Sequence, residues 1–299
     1  MEIKCLTSNV RHLIRKKGVI YLKKKNKIIL TLSLVAVFAV LAAIFGIYDL
    51  QISVAVANPE SDFGIAMEIL GELVAPILFV LAGFTIILYS VRLNIVEYKK
   101  SKIATGFICM MVGIGYSVYD LSKLSYIKSI ISYIVVGILI GIFMSIIYKQ
   151  SNKRLEYLIK IAVITVVYLI AMLVIINVFK MVWGRIRFRQ MLALSDLSLF
   201  TPWYLPQGFT GYRSFPSGHT ANASSLYVLT LFAVFCKKKW QKILCYTVPV
   251  VWIIFMASTR VLVGAHYCSD VLFGAGISVV IFLITKNILN KKFKTPVSE

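Results

Sequence analysis

At 299 residues, 59% of them hydrophobic, and with a mean hydropathy of +0.85, the chain is well above the roughly 45–50% apolar content of a soluble globular domain, which excludes a water-soluble fold. A formal net charge of +21 would point to nucleic acid in a soluble chain; in a membrane protein it reads as basic cytoplasmic loops and an anionic ligand, with no nucleic-acid partner. The five cysteines (Cys5, Cys109, Cys236, Cys245, Cys268) form no CxxC pair and no metal-ligand spacing with histidine, which argues against a disulfide framework and a zinc site.

The stretch from Lys4 to Lys27 is rich in lysine and arginine and has no apolar run ahead of a small-residue cleavage site. It reads as a basic cytoplasmic tail over 1–27, not a removable signal peptide. A crossing helix needs about 20 apolar residues, and eight segments come close: 28–48, 65–91, 103–119, 128–148, 157–179, 219–235, 243–259 and 269–287. The third is short and glycine-rich, so the charge pattern has to arbitrate. Basic clusters at Lys4–Lys27, Arg92–Lys102, Lys149–Lys160, Lys237–Lys242 and Lys286–Lys294 all share one side if eight segments cross. By the positive-inside rule that side, with both termini, is cytoplasmic. The expected fold class is all-α, a polytopic membrane helix bundle of about eight transmembrane helices.

Six cations break the rule. Lys180, Arg185, Arg187, Arg189, Arg213 and Arg260 fall on the outer side, and an anionic ligand held at that surface is the simplest reason. The long outer connection 188–215 contains Pro202, Trp203, Tyr204 and Pro206 and reads as an interfacial anchor or as a lid over a substrate.

The outer ends of the last four segments concentrate chemistry. Lys180, Arg187 and Arg260 are suited to gripping phosphate oxygens. Ser217 and Gly218 open a helix whose N-terminus offers free N–H donors. His266 and Asp270 are four residues apart, so on a helix they share a face. Asp270 could then hold a proton on one imidazole nitrogen of His266 while the other acts as nucleophile, and His219 could protonate a leaving alkoxide.

In this order the residues resemble the type 2 phosphatidic acid phosphatase superfamily of membrane lipid phosphatases. Its first motif, a lysine, six residues and Arg-Pro, is similar to "KMVWGRIRF", which gives Lys180 and Arg187. Its second, Pro-Ser-Gly-His, stands unbroken at Pro216 to His219. Its third, Ser-Arg, five residues, His, three residues and Asp, is similar to "TRVLVGAHYCSD", which gives Arg260, His266 and Asp270. Phe188 and Thr259 stand where the family has proline and serine, which puts the loop shape after Arg187 in question.

The resemblance implies a phosphohistidine on His266 oriented by Asp270, with His219 as proton donor. It implies that Lys180, Arg187, Ser217, Gly218 and Arg260 hold the phosphate, with no metal and no cofactor. It implies a lipid phosphatase core at 157–289, while apolar length and charge place N-terminal transmembrane helices at 28–156 and a cytoplasmic C-terminal tail at 290–299. The expected substrate is a phospholipid or isoprenoid phosphate: undecaprenyl diphosphate, phosphatidylglycerophosphate or phosphatidic acid, hydrolysed on the extracytoplasmic face of a bacterial plasma membrane. A lipid phosphotransferase using the same site is the alternative, and a lipid-binding or transport protein is a third.

Other charged residues fit less sharply. Glu68 and Glu72, one turn apart in the second segment, read as interfacial hydrogen-bonding groups, as partners of an outer arginine, or as headgroup-positioning residues. Arg185, Arg189 and Arg213 read either as contacts to a second phosphate or as loop charge drawn to anionic headgroups. His12 lies in the tail, with no catalytic reading, and oligomeric state has no signal in the sequence.

Overall fold

A computed structural model describes residues 2–94 and 97–293, with backbone alone for 2–27 and for 126. The basic side chains of the expected N-terminal tail, with Cys5 and His12, and the C-terminal tail from residue 294 lie outside the described residues. The chain divides into two compact units, Met1–Ile47 and Tyr48–Glu299. The first lies within helix α1 (Glu2–Val56), so the stretch read as a tail is helical from Glu2 onward. The packing and the site described below concern the second unit.

After α1 come α2 (Asp62–Glu72), α3 (Val74–Arg92), α4 (Lys99–Leu121), α5 (Tyr126–Tyr148), α6 (Asn152–Trp183) and α7 (Phe188–Leu194). They are followed by α8 (Gly218–Ala223), α9 (Leu229–Phe232), α10 (Lys239–Leu262) and α11 (Cys268–Lys292), and no strand occurs among the described residues. Seven helical stretches there are long and apolar enough to cross a membrane: 28–56, 62–92, 99–121, 127–148, 152–194, 239–262 and 268–292. The remaining expected crossing, 219–235, is helical throughout but broken. Two short α pieces, α8 and α9, alternate with 3-10 turns at Ser224–Val228 and Ala233–Phe235. A 3-10 turn rises about 2.0 Å per residue against about 1.5 Å in an α-helix, so the stretch reaches roughly 30 Å despite its shortness.

The core lies where α6, α11 and the broken helix meet. Tyr168 of α6 is fully buried, with its ring edge-on to Phe282 at 5.4 Å and its hydroxyl 2.6 Å from Ser278 Oγ. Ser278 Oγ in turn donates to Ala221 O, which ties α6, α11 and α8 through one polar contact in an apolar setting. Leu169, Met172, Ala221 and Val228 belong to the same cluster. The glycines that made the third segment look weak have a packing role: a Cβ on Gly113 would run into Pro76 O, and one on Gly106 into Gly83 O. They let α4 approach α3 closely.

The second segment is broken near its start. Pro76 lacks an N–H, and its ring would clash with the carbonyl four residues earlier, that of Glu72. The helix accordingly stops at Glu72 and restarts at Val74 across Leu73. The freed groups meet one side chain: Glu72 O accepts from Asn222 Nδ2 at 3.0 Å, and Ala75 N donates to Asn222 Oδ1 at 3.1 Å. The break is thereby fastened to α8, three residues beyond His219.

The ends of the unit differ in charge. One end gathers Arg92, Lys99, Lys149, Lys153, Lys238, Lys239, Lys291 and Lys292 at helix termini, with Arg92 donating to Tyr148 O and Gln150 O. The other end gathers the C-termini of α4, α6 and α10 and the N-termini of α2, α5, α8 and α11. All the residues discussed next lie there.

Candidate active site

His266 is placed by a turn, not by a helix. Gly264 takes a left-handed φ of +62° after α10, and Tyr267 caps α11 in an extended conformation. The expectation that His266 and Asp270 share a helix face is therefore corrected: only Asp270 is on α11, and His266 reaches it from the preceding turn. Asp270 Oδ2 accepts from Tyr267 N at 3.0 Å, capping the helix, and lies 3.6 Å from His266 Nδ1. Both residues are wholly buried, at 0% exposure, and neither nitrogen of His266 has a hydrogen-bond partner. Burial pushes the His266 imidazole down to about 3, with Lys180 and Arg187 adding to the effect and Asp270 opposing it. The ring is neutral at ordinary pH, as a nucleophile requires.

Asp270 is held by more than the histidine. Arg185 Nη1 donates to its Oδ1 at 2.6 Å, and Ser214 Oγ donates to Oδ2 at 2.5 Å. Arg185 continues to Asp49 of α1, with Nη2 3.0 Å from Asp49 Oδ2. Asp49 also accepts from the backbone N–H of Ser269, at 3.0 Å, and from its hydroxyl. The guanidinium lies 4.0 Å from the Tyr267 ring centre and donates through Nε to Thr201 O. Asp49, Arg185, Ser214, His266, Tyr267, Ser269 and Asp270 are all 0–1% exposed. Buried charges persist only when paired and hydrogen-bonded, and this array, Asp–Arg–Asp beside a histidine, meets that condition. Arg185 is therefore an interior residue, which corrects its reading as loop charge or as a contact to a second phosphate.

His219 is the second residue of α8. Ser217 is the N-cap, its Oγ accepting from Thr220 N at 3.3 Å. Its own N–H donates to Asp270 O at 2.9 Å, so Ser217 fastens the helix start to α11 and has no amide left for a ligand. The first amides of the helix, at Gly218 and His219, remain by position. His219 lies with its ring centre 6.0 Å from that of His266, and its Nε2 is 2.9 Å from Glu72 Oε1.

The expected phosphate-binding cations fall into two groups. Lys180 and Arg187 have no hydrogen-bonding or ion-pair partner for their side chains among the described residues. A Cβ at Gly218 would come within 2.9 Å of Lys180 Nζ, so glycine lets the ammonium lie against the helix start. Arg260 is engaged already. It is fully buried, donates through Nη2 to Gly64 O, contacts Thr259 Oγ1 through Nε, and pairs with Glu68 Oε2 at 3.1 Å through Nη1. Glu68 also binds Arg189, at 3.1 Å, as one reading of the sequence expected of an outer arginine.

The departures from the family motifs have local explanations. Phe188 is the first residue of α7, where a helix uses no N–H, so proline and phenylalanine suit the same place. Here the ring packs with Ile186, Met191 and Tyr267. Thr259 keeps a hydroxyl on Arg260. The 188–215 connection is pinned down: Trp183 Nε1 donates to Trp203 O, Thr210 Oγ1 to Gly184 O, and Ser214 N to Arg185 O. Arg213 is exposed on it.

Asp49 went unmarked in the sequence, and the partnership of Glu72 with His219 was not legible there. It also left out Lys123, which pairs with Asp120 at 2.7 Å at the same end. Asp49 was legible as a lone carboxylate inside an apolar run; its partner, 136 residues away, was not.

Comparison with known families finds the PAP2 superfamily over residues 161–294, in agreement with the resemblance carried by the three motifs. No curated protein and no solved structure matches the chain.

Proposed function

We propose, from the premise that residues 161–294 are a PAP2 superfamily domain within a bundle of membrane-length helices, that the protein is a membrane phosphatase acting through a phosphohistidine. The observation that carries this reading is a buried imidazole with both nitrogens unpartnered, flanked by two unpartnered cations, Lys180 and Arg187. A buried polar group without partners needs a reason, and an incoming phosphate supplies one.

In the proposed reaction His266 Nε2 attacks phosphorus while the bond from phosphorus to the leaving oxygen breaks. His219 gives that oxygen a proton. The Nδ1 proton of His266 turns to Asp270, which Arg185, itself held by Asp49, keeps oriented. Lys180, Arg187 and the first amides of α8 hold the phosphoryl oxygens. Water then attacks phosphorus, the P–N bond breaks, and His219 recovers a proton from the water. The charge developing on phosphate is met by fixed cations, so we propose a metal-independent route. The substrate class is a phosphomonoester or diphosphate lipid, such as phosphatidic acid, phosphatidylglycerophosphate or undecaprenyl diphosphate. The basic opposite end supports an active site on the extracytoplasmic side.

The test is reaction of purified protein with phosphate-labelled lipids, quenched in alkaline detergent, with and without chelator. Label on the protein, stable to base and labile to acid, and unchanged by chelator, is expected. His266→Gln should remove it and lower phosphate release at least about 10⁴-fold. Full activity in that variant overturns the mechanism. Label appearing in a second lipid, not as free phosphate, would make the protein a phosphotransferase.

A further inference from the structure

We propose that Glu72 is a positioning residue for His219: by accepting from Nε2 it sets the plane of the imidazole and leaves Nδ1 to protonate the leaving oxygen. The inference rests on the reading that His219 is the proton donor.

Glu72 lies on α2, outside the residues matched by the family, so nothing in the three motifs assigns it. Its Oε1 is 2.9 Å from His219 Nε2, and its Oε2 accepts from Tyr116 Oη of α4 at 3.3 Å. The two carboxylate oxygens are thus held by different partners. The backbone is held as well, because the break caused by Pro76 hands Glu72 O to Asn222 Nδ2. Asn222 and His219 belong to the same short helix, so the helix carrying the acid is clamped to the residue that orients it.

Glu68, one turn earlier, has different partners, Arg260 and Arg189. The two carboxylates therefore divide the site between them. Both are partly exposed, and Glu72, at 18% side-chain exposure, borders His219 at 13%. An imidazole able to rotate about its Cβ–Cγ bond would present either nitrogen to the substrate; a fixed carboxylate on one nitrogen removes that freedom.

Help from a general acid matters in proportion to the basicity of the leaving oxygen. The full chain is therefore assayed with two substrates of equal chain length, an alkyl phosphate and an aryl phosphate. Glu72→Gln, close in shape to the native residue, should lower kcat about 10- to 100-fold on the alkyl phosphate, and less than about threefold on the aryl phosphate, with KM unchanged on both. Tyr116→Phe, which loosens the carboxylate, should show the same pattern more weakly, and it decides the matter if Glu72→Gln does not fold. Glu68→Gln should show no such selectivity. Equal losses on the two substrates, or no loss on the alkyl phosphate, overturn the proposal. His219→Gln run in parallel separates the failures. If it lacks the alkyl-selective loss, the proton-donor reading has failed and the proposal falls with it; if it has that loss and Glu72→Gln lacks it, the proposal alone has failed.

Discussion

The surroundings of His266 and His219 differ more than their separation of 6.0 Å between ring centres suggests. His266 sits in a dry cage: no exposed surface, a carboxylate locked by an arginine, and two cations nearby. His219 sits at a rim, partly exposed, against a carboxylate that is partly exposed itself. A nucleophile has to stay neutral and unsolvated, whereas a proton donor has to reload from water. The same imidazole serves either task, and its neighbours decide which.

The comparison breaks most sharply at Asp270. Asp270→Asn keeps the shape but removes the charge that orients His266, so phosphate release should fall about 10³- to 10⁴-fold while the fold survives. A loss below tenfold would mean that the dry cage does not need its carboxylate. A time course of lipid phosphate hydrolysis measures it.

Asp49 tests whether the cage extends beyond the family domain. Asp49→Asn leaves Arg185 short of one anion in a buried setting and should destabilise the protein by about 3–5 kcal/mol, read as an earlier thermal unfolding transition. Its effect on kcat should be smaller than that of Asp270→Asn, since Asp270 keeps Arg185 and Ser214. An unchanged transition would place Asp49 outside the cage's energetics.

The smallest effect expected is in acid. His266 is neutral when folded, with its pKa pushed down to about 3, and protonates near 6.5 when unfolded. Between those values the unfolded chain holds the extra proton. The contribution of this group to stability is therefore present above pH 6.5 and lost as the pH falls toward 3, at no more than about 1.4 kcal/mol per unit. Denaturation midpoints of the native protein should drop faster between pH 6.5 and 5 than those of His266→Gln. Parallel curves would remove the dry-cage account of His266.

Apolar length was enough to mark the seven stretches that are long and apolar enough to cross a membrane, because a long apolar run has few alternatives to a helix there. The segment 219–235 was marked as well, but its alternation of α and 3-10 turns was not, since local packing chooses between two such similar hydrogen-bond patterns. At the site, spacing brought His266 near Asp270, though by a turn in place of the expected helix face, and the motif resemblance grouped Lys180 with Arg187. The partners of Asp49, Glu68 and Glu72 come from other helices, and no sequence period links a helix end to another more than a hundred residues away.

Composition by itself determined that this chain is a bundle of membrane-length helices, and motif order that its last part resembles a lipid phosphatase family, because apolar length and residue type are local properties. Only the tertiary structure decided how the charges pair. It turned Arg185 inward to Asp49 and Asp270, gave Arg260 to Glu68, and set Glu72 on His219. Buried charges settle on whichever opposite charge the packing brings within reach, and that is a property of the assembled helices.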